Sequence, residues 1–437
     1  MAKIQKTLFS WQEVDALSDL KRLQLALDNL PDEELMRALE RERGRGRDDY
    51  PVRAMWNSLI AAGVYQHPSI ECLRRELGRN AQLRQACGFD LFARPDVPPA
   101  CAYSRFLRAL QRHAAVVEAV FRRLVEQLGE ELPDFGAVLA VDGKKLPTHA
   151  RPRPQDAPRL PADGRRDIDA DFGVKKRQET GADGKVREYE TRWYGYRLHL
   201  VVDANHELPV AYNVTRASCA EQPRAHDLLD KMRRETPRLL TGCEAFLGDK
   251  GYDDGKLITR LWDDHAIKPV IDIRDCWQDG EATRRVAGTR DAVYSYCGEV
   301  RCHARAGETH RMAYGGFEES RATQKYLCPA KHYGFDCPRL ANCELRGGLR
   351  IPLSEERRIF TPPARGTPSW RRLYKKRSAI ERVNSRLDVS FGFEHHFIRG
   401  LAKMRLRVTL ALTVMLGMAL GRIKEKQRDK MRSLVAA

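Results

Sequence analysis

Three widely separated carboxylates carry the chemistry that this sequence can do. Asp142 ends the apolar run Val138-Leu-Ala-Val and precedes Gly143, and Asp249 ends Ala245-Phe-Leu-Gly and precedes Lys250-Gly-Tyr. A short apolar run ending in aspartate is how a buried strand delivers a carboxylate to the edge of a sheet. Glu381 is placed differently, as the only acid among seven Lys or Arg between Arg371 and Arg386. At about 100° per residue, a helix there puts Tyr374, Arg377 and Glu381 on one face. Taken alone, Glu381 reads as a surface ion pair with Arg377 at i, i+4. Joined by two strand-end aspartates, it suggests divalent-metal chemistry on a polyanion. Two Mg²⁺ or Mn²⁺ ions can activate an attacking oxygen and hold a leaving one while taking few carboxylates. Without metal, three convergent carboxylates would repel one another.

The Tyr-x-x-Arg-x-x-x-Glu spacing of Tyr374, Arg377 and Glu381 follows Val141-Asp-Gly and Gly248-Asp-Lys-Gly-Tyr upstream. In this combination and order the chain resembles the DDE transposases of bacterial insertion sequences, from its N-terminal region to about Met404. The resemblance implies an α/β fold with an RNase H-like mixed sheet flanked by helices. It implies Asp142, Asp249 and Glu381 as the catalytic, metal-binding triad, with Asp142 bridging two ions and the other two holding one each. It further implies nicking of element ends by water, then attack of the freed 3′-hydroxyl on target DNA. Double-stranded DNA would be the partner, and a homodimer on paired ends the active form. Arg377 would fork onto a phosphate, Tyr374 would donate or stack near the cleaved strand, and Lys250 would touch backbone phosphate. An Arg377–Glu381 pair and a solvent-facing Lys250 are the structural alternatives. Asp388 departs from the family pattern, which has a Lys there. Seven residues past Glu381, it would repel phosphate, engage a cation, or pair with Arg386 or Arg405. Two other functions stay open: a transposase-derived DNA-binding protein that no longer catalyses, and a metal-dependent nuclease without strand transfer.

The elements that must position these residues are legible in outline. A chain of 437 residues predicts two or three domains. A formal charge of +17 and a pI near 9.5 favour an anionic polymer as partner, with excess base around Glu381 and at Arg422–Arg432. Residues 1–130 read as an all-helical domain for DNA-end binding or dimerisation. Helices are expected at Ser18–Leu30, at Ile70–Leu77 with Ser69 as N-cap, and at Ser104–Leu128. Residues 131–273 read as the first part of the catalytic core, in the order strand, hairpin, helix, strand. The hairpin is Tyr196–Asp203 with Leu208–Val214, the helix Arg224–Arg234, and the later strands Ala245–Leu247 and Ile267–Ile273. Lys144–Glu190 reads as a long polar loop.

Residues 274–370 show no sustained periodicity and hold six of the eleven cysteines, so they read as an insertion. Cys297-x4-Cys302 and Cys328-x8-Cys337-x5-Cys343 suit either a structural Zn²⁺ site or free, partly buried thiols. Residues 371–437 supply the helix of Glu381 and an apolar stretch, Val408–Leu420, too short to span a bilayer and expected to be a buried helix. The start Met1-Ala-Lys-Ile-Gln-Lys-Thr lacks an export signal, and an odd cysteine count fits a reducing, cytoplasmic, nucleoid-associated setting with no membrane partner.

Overall fold

The computed structural model describes residues 18–434, apart from 46–47, 93, 153–166, 181–185 and 306–307. Among the described residues seven helices come first: α1 (Ser18–Asp28), α2 (Glu33–Arg43), α3 (Val52–Val64), α4 (Ile70–Arg79), α5 (Ala81–Cys87), α6 (Ala100–Arg112) and α7 (Ala114–Glu131). The Ser69 hydroxyl caps α4 by accepting from Cys72 N, as its position predicts, and Asn80 caps α5 by accepting from Leu83 N. The single helix expected over Ser104–Leu128 is instead two, broken at His113. There the backbone leaves helical geometry, and the ring binds Glu42 at 2.7 Å.

The central sheet is built around β1 (Val138–Pro147), whose apolar residues Val138–Val141 are buried. β3 (Val186–Asp203) runs antiparallel to it, and β4 (Leu208–Arg216) pairs the far edge of β3. On the other side β5 (Ala245–Gly248) and β6 (Lys268–Ile271) follow in parallel. Parallel neighbours need a crossover. Helix α8 (Glu221–Glu235) provides the one into β5 and packs on β1, β3 and β4. The spatial order β4-β3-β1-β5-β6 is the mixed sheet of an RNase H-like core. The long loop expected over Lys144–Glu190 is in part a β-ribbon. β2 (Asp171–Thr180) pairs the first half of β3, with Val174 and Tyr189 exposed on it.

Two helices then cross the sheet, α9 (Pro368–Lys375) on β5 and β6 and α10 (Ser378–Phe391) on β1 and β3. The one continuous basic helix expected here is divided at Lys376 and Arg377. The chain tightens there into i→i−3 bonds from Lys376 N, Arg377 N, Ala379 N and Ile380 N. The last helix, α11 (Leu401–Lys424), is longer than the apolar stretch that announced it, and by length and composition alone it could cross a membrane. Its packing is that of a core helix, against α1, α3, α7 and β4, with 83% of its most apolar window buried. One apolar core runs from Leu20 through the sheet to Leu434 and so joins the helical region to the sheet. A second belongs to the insertion, from Ile273 to Phe360. That insertion folds as two small sheets, β7–β10 (Arg284–Arg285, Ala292–Tyr294, Val300–Arg305, Glu308–Arg311) and β11–β13 (Ala313–Glu318, Thr323–Leu327, Leu349–Pro352).

Candidate functional site

Sheet register sets the first two carboxylates side by side. Ala140 of β1 pairs Leu247 of β5 in parallel, so two residues further along Asp142 stands level with Asp249, just past the end of β5. Asp249 accepts a hydrogen bond from Gly251 N at 2.8 Å, which fixes the turn Lys250–Tyr252 that carries exposed Lys250. Burial raises the Asp142 carboxyl, Lys175 of β2 draws it down, and the negative charge of Asp249 raises it again; the net shift is upward.

The third predicted carboxylate is held less tightly. Glu381 lies in the first turn of α10 with 57% of its side chain exposed, and it accepts from Arg377 at 2.6 Å. One turn later on α10, Asn384 donates to Asp142 Oδ2 at 3.2 Å. Arg377 links the two halves, since its guanidinium acts electrostatically on Asp142 as well as on Glu381. It also sits 5.8 Å from the Tyr374 ring, which stacks on Trp370 at 4.7 Å, and Tyr374 in turn feels Asp272 and Asp249. Asp142, Asp249, Tyr374 and Arg377 thus act on one another at one end of the sheet, and Glu381 joins them through Arg377. Among the described residues, no three His, Cys, Asp or Glu side chains form a ready metal cage.

The family model of the transposase DDE domain matches residues 133–416. The chain belongs to the DDE transposase family. No curated protein matches it. In this transposase the match runs from just before β1 to within α11, and so takes in both aspartates, the insertion and Glu381. Family membership brings with it action on DNA by nuclease and transferase chemistry, and a general use of divalent metals.

The donor set fits such an ion. Mg²⁺ and Mn²⁺ prefer oxygen ligands, and the cluster offers carboxylates alone. Asp142 and Asp249 are not the only ones. Glu221, at the first position of α8, is largely buried and bonded to Arg197 of β3 at 2.8 Å. A Cβ added to Gly143 would fall 2.4 Å from Glu221 Oε1, and one added to Gly251 would fall 2.5 Å from Glu221 Oε2. The glycines that follow the two aspartates therefore make room for this side chain. Burial raises the Glu221 carboxyl, Arg197 lowers it and Asp249 raises it, with the net shift again upward. Sequence reasoning missed Glu221, because a single acid at a helix start carries no distinctive spacing. It also left Asn384, Arg197 and Tyr252 without roles.

Asp388 pairs with Lys144, a buried lysine two residues past Asp142, and not with Arg386 or Arg405. Much of the basic excess has an internal use as well. Arg382, Arg386 and Arg432 surround the buried carboxylate of Glu207, and Arg428 bonds His206. In the insertion, burial pushes the Cys302 thiol up to about 11, and the neighbouring Cys328, Cys343 and Cys337 add to the rise. Arg339 forks onto Asp291 and reaches the His303 carbonyl beside Cys302, which draws the Cys337–Cys343 loop toward β9. Cys297 stands elsewhere, exposed and 3.1 Å from Ser295 Oγ.

Proposed function

We propose that this transposase cleaves the ends of an insertion sequence and joins the freed 3′-hydroxyl to target DNA by phosphoryl transfer with two bound Mg²⁺ or Mn²⁺ ions. The observation that supports it most is the level placement of Asp142 on β1 and Asp249 just past the end of its parallel neighbour β5, with the helix of Glu381 packed across β1. Asp142, Asp249 and Glu381 would hold the cations. When bound, these supply charge neutralisation at the phosphate and lower the pKa of the attacking hydroxyl. Arg377 positions a phosphate oxygen, Tyr374 packs beside the cleaved strand, and Lys250 binds backbone phosphate from its exposed turn. Because two ends must be joined, the active form is a homodimer on paired double-stranded ends.

The test uses the full chain, oligonucleotides bearing the element's ends, and a supercoiled target with Mg²⁺. Both nicked ends and end–target joints should form, and Glu381→Gln should reduce both to background. Nicking by Glu381→Gln near the parent rate would overturn the triad. Nicking without joints by the parent would leave a metal-dependent nuclease in its place.

A structural role follows for the insertion. Cys302, Cys328, Cys337 and Cys343 would hold one Zn²⁺ as thiolates, tying β9 to the Cys337–Cys343 loop, while Cys297 stays outside the set. About one zinc per chain by elemental analysis is expected, retained in Cys297→Ser and lost in Cys302→Ser. A metal-free, folded preparation would leave free thiols.

A further inference from the structure

We infer that Glu221 is a fourth carboxylate of the cation site, facing the same ion as Asp142 and Asp249. This rests on the reading of those aspartates as metal ligands and extends it to a residue outside the Asp142–Asp249–Glu381 set. Three observations carry it. First, Glu221 reaches the ends of both strands at once. Its Oε1 lies over Gly143, next to Asp142. A Cβ on Gly251 would sit 2.5 Å from Glu221 Oε2 and 2.9 Å from Asp249 Oδ1, so two carboxylates face each other across the space that the glycine leaves open. Bringing like charges together in a partly buried cleft is unfavourable, and Arg197 and Lys175 offset it only in part, since Asp142 and Glu221 both keep a net upward shift; a cation between the carboxylates would complete the balance.

Second, Tyr252 is wholly buried, its hydroxyl has no hydrogen-bond partner, and the charges it feels are those of Glu221, Asp142 and Asp249, opposed by Arg197. An orphaned buried hydroxyl is rare, and a donor beside three carboxylates marks a space that bound ions and their waters occupy. Third, Arg197 gives Glu221 one contact while its own Nε has no partner. The pair is too thinly bonded to account for a buried carboxylate as a structural ion pair alone. Arg197 instead serves as the counter-charge that holds Glu221 in place without metal.

The test measures Mn²⁺ binding by the DNA-free full chain, following free Mn²⁺ by electron paramagnetic resonance, so it reads ligation and not activity. Glu221→Gln should weaken the affinity by about tenfold or more, Glu221→Asp by less, as losses of metal-orienting groups do. Arg197→Met should keep or tighten Mn²⁺ binding while lowering thermal stability. Mn²⁺ affinity of Glu221→Gln within about twofold of the parent, with Asp142→Asn weakened tenfold or more, would overturn the proposal and leave Glu221 as a partner of Arg197. If Asp142→Asn binds Mn²⁺ as the parent does, the aspartate site itself fails, and that failure is seen separately. Should Glu221→Gln not fold, Glu221→Asp decides by the same titration and by the rise in melting temperature on adding Mn²⁺. An equal rise in Glu221→Asp and the parent counts against the role.

Discussion

The strand-borne and helix-borne carboxylates of this transposase are held in different ways. Asp142 and Asp249 are fixed through the backbone, because β1 and β5 are hydrogen-bonded neighbours and a shift of either would break the sheet. Glu381 depends on how α10 lies across β1, and its side chain is more than half exposed and tied to Arg377. The aspartates are preorganised by folding. The glutamate is held by its exposed pair with Arg377 and by the seat of α10 on β1 and β3. Substitutions should therefore separate the two classes.

The largest separation is expected in cation binding. On the proposed reading, Asp142→Asn removes a strand-borne ligand and should abolish cleavage and weaken Mn²⁺ binding well beyond tenfold. Glu381→Gln should abolish cleavage just as completely but keep Mn²⁺ affinity within about tenfold of the parent. Titrating Mn²⁺ into both purified proteins decides it. Equal loss in the two would mean that Glu381 is as fixed as the aspartates.

A second expectation concerns the joint between helix and strand. Lys144 on β1 and Asp388 on α10 form an ion pair with side chains 8% and 22% exposed, so it fastens the helix of Glu381 to the strand of Asp142. Asp388→Lys sets two cations together there and should lower stability by about 3 kcal/mol. It should not steepen the salt dependence of DNA binding, because residue 388 faces Lys144. Lys144→Met with Asp388→Leu should recover most of the loss. A urea midpoint unchanged in Asp388→Lys would show that the pair contributes nothing to holding α10.

The strand side should also be the acid-sensitive one. His199 of β3 lies opposite Gly143, fully buried and bonded to Thr215 at 2.9 Å, and burial pushes its pKa down to about 3. The unfolded ring takes a proton below about 6.5, whereas the folded one stays neutral until far lower pH. Its contribution is therefore present above pH 6.5 and lost as pH falls, at up to about 1.4 kcal/mol per unit. His199→Gln should flatten the fall in urea midpoint between pH 7 and 5. Parallel slopes would remove His199 as the cause.

The same contrast explains what could be read from the sequence. Asp142 and Asp249 were legible as strand-end residues because an apolar run ending in aspartate has one common structural meaning, whereas the helical spacing that linked Tyr374, Arg377 and Glu381 runs across the division at Lys376 and Arg377 and so placed Glu381 on a helix without showing that break. Glu221 gave no such signal. Its place depends on where the β3–β4 hairpin returns the chain to start α8, which is a property of the whole sheet. The Lys144–Asp388 pair spans 244 residues of sequence, so no local pattern could announce it. The β2–β3 ribbon was hidden for another reason. Both its faces meet solvent in part, so its strands lack the apolar alternation that a half-buried strand shows. In the insertion, strands of two to six residues are too short for any period to emerge. The basic run at Arg422–Arg432 was legible as charge but not as use, because the groups that Arg432 and Arg428 bind, Glu207 and His206, belong to the distant β3–β4 turn.

The smallest expected effect on stability tests the looser half directly. Arg377 and Glu381 are one helical turn apart and 21% and 57% exposed, so water screens their attraction and side-chain entropy opposes it. Arg377→Ala should change the folding free energy by about 0.5 kcal/mol or less, in contrast to the Lys144–Asp388 joint. Function should respond more strongly than stability. Arg377 pairs with Glu381 in the free protein, and a guanidinium can equally fork onto phosphate when DNA is present. Its removal should lower the salt slope of DNA binding by about one phosphate contact, and Arg377→Lys should restore charge without restoring the fork. Cleavage by Arg377→Lys at the parent rate would show that position 377 supplies charge alone. A loss of several kcal/mol in Arg377→Ala would show instead that Glu381 is anchored as firmly as the aspartates, and the contrast between strand and helix would fail.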